Sequence, residues 1–183
     1  THTVRVANTS ECTNGETSQT ACGFVIEFTG TITSTYMNST DTNVGGWPAS
    51  AMRSNLNASI YSALPSDLKN AIAETSVVSD HGITSGETNF ISSDKLYLLS
   101  VKEVLGSSPF GTADATTRQL DYYQNQGVTM SNYSGAIKEN SNWWLRSAFP
   151  GNNNHFSIVS TSGNWNSMSA KSTNNVSPAF RIA

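Results

Sequence analysis

The closing run of the chain, from Asn142 to Ala183, most constrains the fold. It opens on Trp143-Trp144-Leu145-Arg146-Ser147 and ends on Val176-Ser177-Pro178-Ala179-Phe180-Arg181-Ile182, two apolar stretches that read as strands. Between them lie Asn152-Asn153-Asn154-His155, Gly163-Asn164-Trp165-Asn166-Ser167 and Ser172-Thr173-Asn174-Asn175, which are too polar to form a core. Two strand anchors therefore bracket an Asn/Ser-rich segment, the arrangement expected of a rigid frame holding a display face. Asn and Ser beside aromatic rings such as Phe156 and Trp165 supply adaptable hydrogen bonds next to stiff anchors, as binding surfaces do. Ordinary solvated turns would have the same composition, and the residues alone do not separate the two readings.

Length and charge narrow the choices around that frame. At 183 residues there is room for one domain with a sizeable core. A net charge of −3 with 13% charged residues excludes the basic footprint that nucleic acid demands. No apolar run approaches the roughly 20 residues of a membrane span, so direct membrane insertion is not expected. The only cysteines, Cys12 and Cys22, sit at the ends of a short polar loop. A disulfide is the expected state, because zinc would need further ligands, and two reduced thiols in a cytosolic protein are the alternative. A bridge would stabilise by about 2–3 kcal/mol and point to an oxidising compartment.

Along the chain, Thr3–Ala7 alternates as a strand, and Gly23–Phe28 with Thr31–Thr33 forms a second strand region. Ser50 caps a helix whose apolar stripe is Met52, Leu56, Ile60 and Leu64; Pro65 stops it, and Ser66 caps a short second helix. Trp47 is expected to pack over the first of these. Val77-Val78 reads as a strand, Asp80 to Asn89 as a long loop, and Asp94–Leu99 as a buried strand. Ser100 caps a helix to Leu105, and Thr116–Gln124 reads as an amphipathic helix. Trp143–Ala148, Phe156–Ser160 and Val176–Ile182 close the chain as strands, with a turn at Ser162-Gly163. No repeat or linker interrupts this order, so the expectation is a single α+β domain over residues 1–183.

Motifs for chemistry are sparse. His81 shares a loop with Asp80, Ser85 and Glu87, but no nucleophile elbow accompanies it, and a loop-stabilising role is favoured. His2 and His155 lack partners at metal-ligand spacing, the carboxylates are scattered, and no phosphate-binding glycine loop follows a strand. In the Trp143–Ala148 strand, alternation puts one tryptophan in the core and one toward solvent, with Arg146 on the face of Trp144. Arg146 and Arg181 are expected in structural ion pairs. Pro178 suggests an edge strand or a bulge. No cofactor or metal is called for.

Five stretches in order resemble a bacterial family of surface-associated domains of unknown function. They are Gly45-Gly46-Trp47-Pro48-Ala49-Ser50-x-Met52-Arg53, Asp94–Ser100, Arg118-x-Leu120-Asp121-Tyr122-Tyr123, Trp143–Ser147 and Val176-x-Pro178-Ala179-Phe180-Arg181-Ile182. The resemblance implies a C-type-lectin-like fold, mostly antiparallel, with two or more helices and paired N- and C-terminal strands. More distantly, the Trp-Leu-Arg-Ser and Phe-Arg-Ile signatures are similar to two relatives of that fold. One is the formylglycine-generating, sulfatase-modifying enzymes, whose chemistry needs a cysteine pair late in the chain; no cysteine follows Cys22. The other is the variable proteins diversified by retroelements, including phage tropism determinants, whose diversified positions lie just before the last strand, where Asn152–Asn175 falls here. Calcium-dependent lectins carry Glu-Pro-Asn or Gln-Pro-Asp followed by Trp-Asn-Asp; here Trp165-Asn166 precedes Ser167 and neither triplet occurs, so no calcium site is expected.

The sequence thus points to a non-catalytic adhesion or receptor-recognition module of a secreted or cell-surface bacterial or phage protein. Its partner would be a protein or glycan on a host or neighbouring cell. The expected binding face is Asn152, Asn153, Asn154, His155, Asn164, Trp165, Asn166, Ser167, Ser169, Lys171, Ser172 and Asn174. An enzyme or degenerate enzyme of the sulfatase-modifying type is the alternative, and a structural stalk module the third possibility.

Overall fold

Two sheets and a hairpin organise the chain in the computed structural model, which describes residues 1–13, 15–82, 89–108 and 117–183. The first sheet holds β1 (Val4–Asn8), β2 (Val25–Phe28), β11 (Pro178–Arg181) and β6 (Tyr97–Leu98), in that spatial order. The terminal strands share this sheet, with β2 between them: Val6 lies opposite Ile26 on one side and Phe180 opposite Ile26 on the other. The second sheet runs β3 (Thr33–Thr35), β10 (Asn174–Val176), β7 (Trp143–Ala148), β8 (His155–Val159) and β9 (Trp165–Ser169). Its pairings are antiparallel except the contact of β10 with β7. β4 (Thr75–Ser79) and β5 (Phe90–Asp94) form the hairpin. The architecture is α+β with mostly antiparallel strands, and one contiguous apolar cluster runs through both sheets.

The closing run that reads as one strand is two, in different sheets, and the chain crosses between them at Ser177. The buried Ser177 hydroxyl donates to the Gly30 carbonyl (2.9 Å) and accepts from Lys138 Nζ (2.7 Å), which fixes the crossing point. Pro178 is therefore not on an edge. It is the first residue of a central strand, opposite Leu98, a position that asks no N–H of the ladder. The two tryptophans are both fully buried, against the expected inside–outside split. Both faces of β7 are covered: Trp143 Nε1 donates to Ala136 O (3.2 Å) and Trp144 Nε1 to Thr35 O (2.9 Å).

Helices pack around these sheets. α1 (Gly46–Ala49) carries Trp47, whose indole is buried and donates to Asp94 Oδ2 (2.9 Å). Ser50 caps α2 (Ala51–Asn55) by accepting from the Arg53 amide. The chain then widens into a π-turn at Leu56–Ile60. There the Asn57 side chain holds the turn between β5 and β6, accepting from the Lys95 and Leu96 amides and donating to Leu96 O. Pro65, not Ser66, occupies the N-cap of α3 (Ser66–Ala71). Ser100 and Glu103 form a reciprocal capping box at α4 (Val101–Leu105). α5 (Asp121–Asn125) begins later than its periodicity suggests, and Thr116 lies outside the described residues. The preceding Arg118 and Gln119 instead tie non-helical backbone through Ala21 O, Val104 O and Val128 O.

The frame is locked by buried ionic hubs. Arg146 and Glu103, both fully buried, form a two-pronged pair at 2.6 and 2.7 Å, and Thr20 and Thr117 also donate to Glu103. Glu27 receives Lys138 (2.7 Å), Arg5 (2.7 Å) and the Tyr123 hydroxyl (2.8 Å). Burial alone would push both carboxyls up, but the cations beside them outweigh it and hold both below the usual range. Arg146 is thus structural, as expected. Arg181 is not in an ion pair among the described residues, and its buried Nε has no hydrogen-bond partner there. Cys12 and Cys22 are joined in a disulfide.

Candidate functional site

The Asn/Ser-rich segment is not a string of turns: its centre, Trp165–Ser169, is a strand paired in full register with β8. Val159 faces Trp165, Ser157 faces Ser167, and His155 faces Ser169. Alternation then sorts the side chains. His155, Ser157, Trp165, Ser167 and Ser169 share one face, while Phe156, Ile158, Asn166 and Met168 share the other. Over β7 the first face is sealed by the segment carrying Ala136 and Lys138, whose ammonium sits 4.6 Å from the Trp143 ring centre. Over β8 and β9 it is left partly open, with His155, Trp165, Ser167 and Ser169 all half-buried.

Side-chain contacts order this open part. Trp165 Nε1 donates to Ser157 Oγ (3.1 Å), and His155 Nδ1 lies 3.1 Å from Ser167 Oγ. The Phe149 ring leans over both, 5.8 Å from Trp165 and 6.1 Å from His155. A β-carbon at Gly151 would meet the edge of that ring, so a larger residue there would displace it. At the far end Asp41 accepts from Ser169 Oγ and from Asn154 Nδ2 (3.0 Å). These two hydrogen bonds, with Lys171 and His155 nearby, keep the exposed Asp41 carboxyl below its ordinary range.

The turn between β7 and β8 is anchored from below by Asn43. Its buried amide donates to Phe149 O (3.0 Å), Asn152 O (3.0 Å) and His155 O (2.8 Å), and its own N–H donates to Asn153 O (2.8 Å). Asn152 adds an internal clasp by accepting from the Asn154 and His155 amides. Asn38, in the same polar stretch as Asp41 and Asn43, accepts from the Ala51 amide at the start of α2. The loop from residue 38 to 46 therefore ties the turn to the core.

Among the residues expected to form a binding face, the geometry brings Asn154, His155, Trp165, Ser167 and Ser169 together. Asn152 and Asn164 spend their side chains inside turns: Asn164 Oδ1 accepts from Ser160 and Ser162, where Gly163 turns the chain with φ +92°. Asn153, Lys171 and Ser172 border the face in connecting loops. Asn166 is exposed but on the opposite side of β9. Asn174 does not join the face: it is buried in β10 opposite Thr35, and its Nδ2 has no partner among the described residues. Asp41, Asn43, Phe149 and Ser157 belong to the same construction and went unread. Of the residues sharing the loop of His81, Ser85 and Glu87 lie outside the described residues. No group of three or more His, Cys, Asp or Glu among the described residues could hold a metal ion, and no helix there is long and apolar enough to cross a membrane.

Residues 26–183 match the family described as a domain of unknown function, DUF6273, and the chain belongs to that family. The match begins inside β2, so β1 and the disulfide loop lie outside it. No curated protein and no solved structure matches the chain.

Proposed function

We propose that the open face of β8 and β9 is the ligand-binding surface of a non-catalytic recognition module. The observation that carries this reading is the convergence there of Phe149, His155 and Trp165 with Asp41, Asn154, Ser167 and Ser169, from separate segments, on a strand pair backed by core. Rings offer stacking area and the neutral donors and acceptors offer adaptable bonds, a combination suited to a protein or glycan partner on a neighbouring or host cell. A disulfide fits a secreted or cell-surface protein. Terminal strands in one sheet, and a loop-rich second sheet ahead of the last strand, support a C-type-lectin-like reading of the fold. On that reading the residues 152–175 occupy the place where retroelement-diversified proteins vary. Against the sulfatase-modifying alternative stands the pairing of both cysteines of the chain in one disulfide, Cys12–Cys22, which leaves no free cysteine for its chemistry.

Binding of the labelled domain to a glycan array and to intact cells tests this. Trp165→Ala is expected to abolish binding while the circular dichroism spectrum is retained, and Asn166→Ala, on the other side of β9, is expected to leave it largely intact. Undiminished binding by a folded Trp165→Ala variant would place the site elsewhere.

A further inference from the structure

A second surface, independent of that face, lies at the opening strand. β1 is the outer strand of its sheet, with β2 on one side and no strand on the other among the described residues. The Thr29 amide donates to Thr3 O (3.0 Å), and Arg5 stands opposite Glu27. In an antiparallel ladder this makes residues 3 and 5 the ones bonded to β2, so the N–H and C=O groups of Val4 and Val6 point away from the sheet. An edge of this kind is normally blunted by charge, proline or a covering segment. Here the two outward residues are valines, 44% and 45% exposed. Arg5, the charge between them, is turned onto Glu27 and Tyr122, and the register shift of the strand comes only after Val6.

The two sides of that edge differ. On one, Val4 and Val6 continue into Phe24, itself 44% exposed. Ile182 N–H donates to Phe24 O, so the pairing extends to this residue and alternation places it beside Ile26 and Phe28, on the valines' face. On the other side α5 stands against the strand, with Tyr122 under the Arg5 guanidinium at 3.5 Å. Between them, where the strand passes Val6, a cavity of about 270 Å³ opens, walled by Tyr122, Asn125 and Gln126. Asp121 in its wall is already engaged by Thr9, Ser10 and Arg118, which leaves neutral amide and hydroxyl groups to receive a ligand.

We propose that β1 accepts an extended segment of another polypeptide as an added strand, with apolar and neutral polar residues in alternation. Its backbone bonds Val4 and Val6, its apolar side chains cover the Val4–Val6–Phe24 strip, and its polar side chains turn toward the cavity beside α5. Outward backbone groups at strand spacing select an extended chain over a helix, and the unlike sides of the edge select the alternation.

The test uses fluorescein-labelled peptides of about eight residues that alternate valine with serine, asparagine or glutamine, titrated into the whole chain by fluorescence anisotropy up to about 1 mM. Saturable binding is expected. Val6→Pro removes one outward donor while leaving the bonds to β2, so it should weaken binding about fivefold or more at an unchanged melting temperature. Val4→Lys, which places a charge on the strip, should weaken it similarly. The same peptide carrying N-methyl groups on its pairing amides should not bind. Absence of binding, or binding indifferent to Val6→Pro and to N-methylation, overturns the proposal. So does a concentration-dependent dimer in sedimentation velocity that Val6→Pro dissolves, because the occupant would then be a second copy of this chain.

Discussion

The frame around β7 and β11 and the open face of β8 and β9 use polar groups in contrasting ways. In the frame the buried carboxylates Glu103, Glu27 and Asp94 each meet a cation: Arg146, Lys138 with Arg5, and Arg53. On the face the contacts are between neutral amides, hydroxyls and rings, with Asp41 the one carboxylate, and that one exposed. A buried pair is expensive to break, since removing one member strands the other in a medium that cannot solvate it. A half-exposed serine or asparagine can exchange its partner for water at little cost. Substitutions are therefore expected to be costly in the frame and well tolerated on the face, as the proposed recognition surface on a fixed support would require.

The largest effect should come from Arg146→Ala, which leaves Glu103 buried without its cation. A loss of about 3–5 kcal/mol in urea unfolding is expected. A loss below about 1 kcal/mol would mean that the frame is not held by its ion pairs and that the contrast fails. Lys138→Met comes next, at about 2–4 kcal/mol, because Glu27 keeps Arg5 and Tyr123 as partners. Acid unfolding separates this from a packing effect. Glu27 and Glu103 have folded pKa values below their unfolded ones, so the unfolded chain binds protons first as pH falls. Their stabilisation is present above the unfolded carboxyl value of about 4.3 and is lost as pH falls through the folded values. Lys138→Met takes away one of the cations that hold Glu27 down, so its acid midpoint should move to higher pH.

A smaller effect is expected at the disulfide. Cys12→Ser with Cys22→Ser should cost about 2–3 kcal/mol by loop closure. The cost lands on the frame, because the loop between the cysteines carries Ser18 and Thr20, whose hydroxyls bond the Val78 amide and Glu103. Thermal unfolding with and without reductant measures it, and any binding at the proposed face should persist in the reduced protein at temperatures where the fold survives.

The frame was more legible in the sequence than the face, for the same physical reason. β7 reads from its apolar run, and Ser50 and Ser100 read as caps because capping is local. The partners of Arg146 and Lys138 could not be read, since Glu103 and Glu27 are separated from them by 43 and 111 residues. β9 was missed because Trp-Asn-Ser-Met-Ser has no apolar alternation of its own; pairing with β8 makes it a strand. The break at Ser177 is marked locally only by Pro178, and that the chain changes sheets there is fixed by Lys138 and the Phe28 and Gly30 carbonyls, which the fold brings to it. Asn43 and Asp41 lie in a polar, turn-rich stretch with no motif of their own, and their roles appear only where the turn after β7 comes to lie on them.

The smallest expected effect is the sharpest probe of the face. Ser169→Ala deletes the hydroxyl that bonds Asp41 and leaves the backbone pairing of Ser169 with His155 untouched. Stability should change by less than about 0.5 kcal/mol, as for a surface position whose polar partner can turn to water. The Asp41 carboxyl should still respond, because the Ser169 hydrogen bond is the largest contribution holding it down, ahead of Asn154. Its pKa, followed by carboxyl-detected NMR titration, should rise toward the ordinary aspartate range in Ser169→Ala and rise further when Asn154→Ala is added. If the titration stays put while the melting temperature falls by several degrees, Ser169 is part of the frame, and the boundary between support and surface lies outside β9.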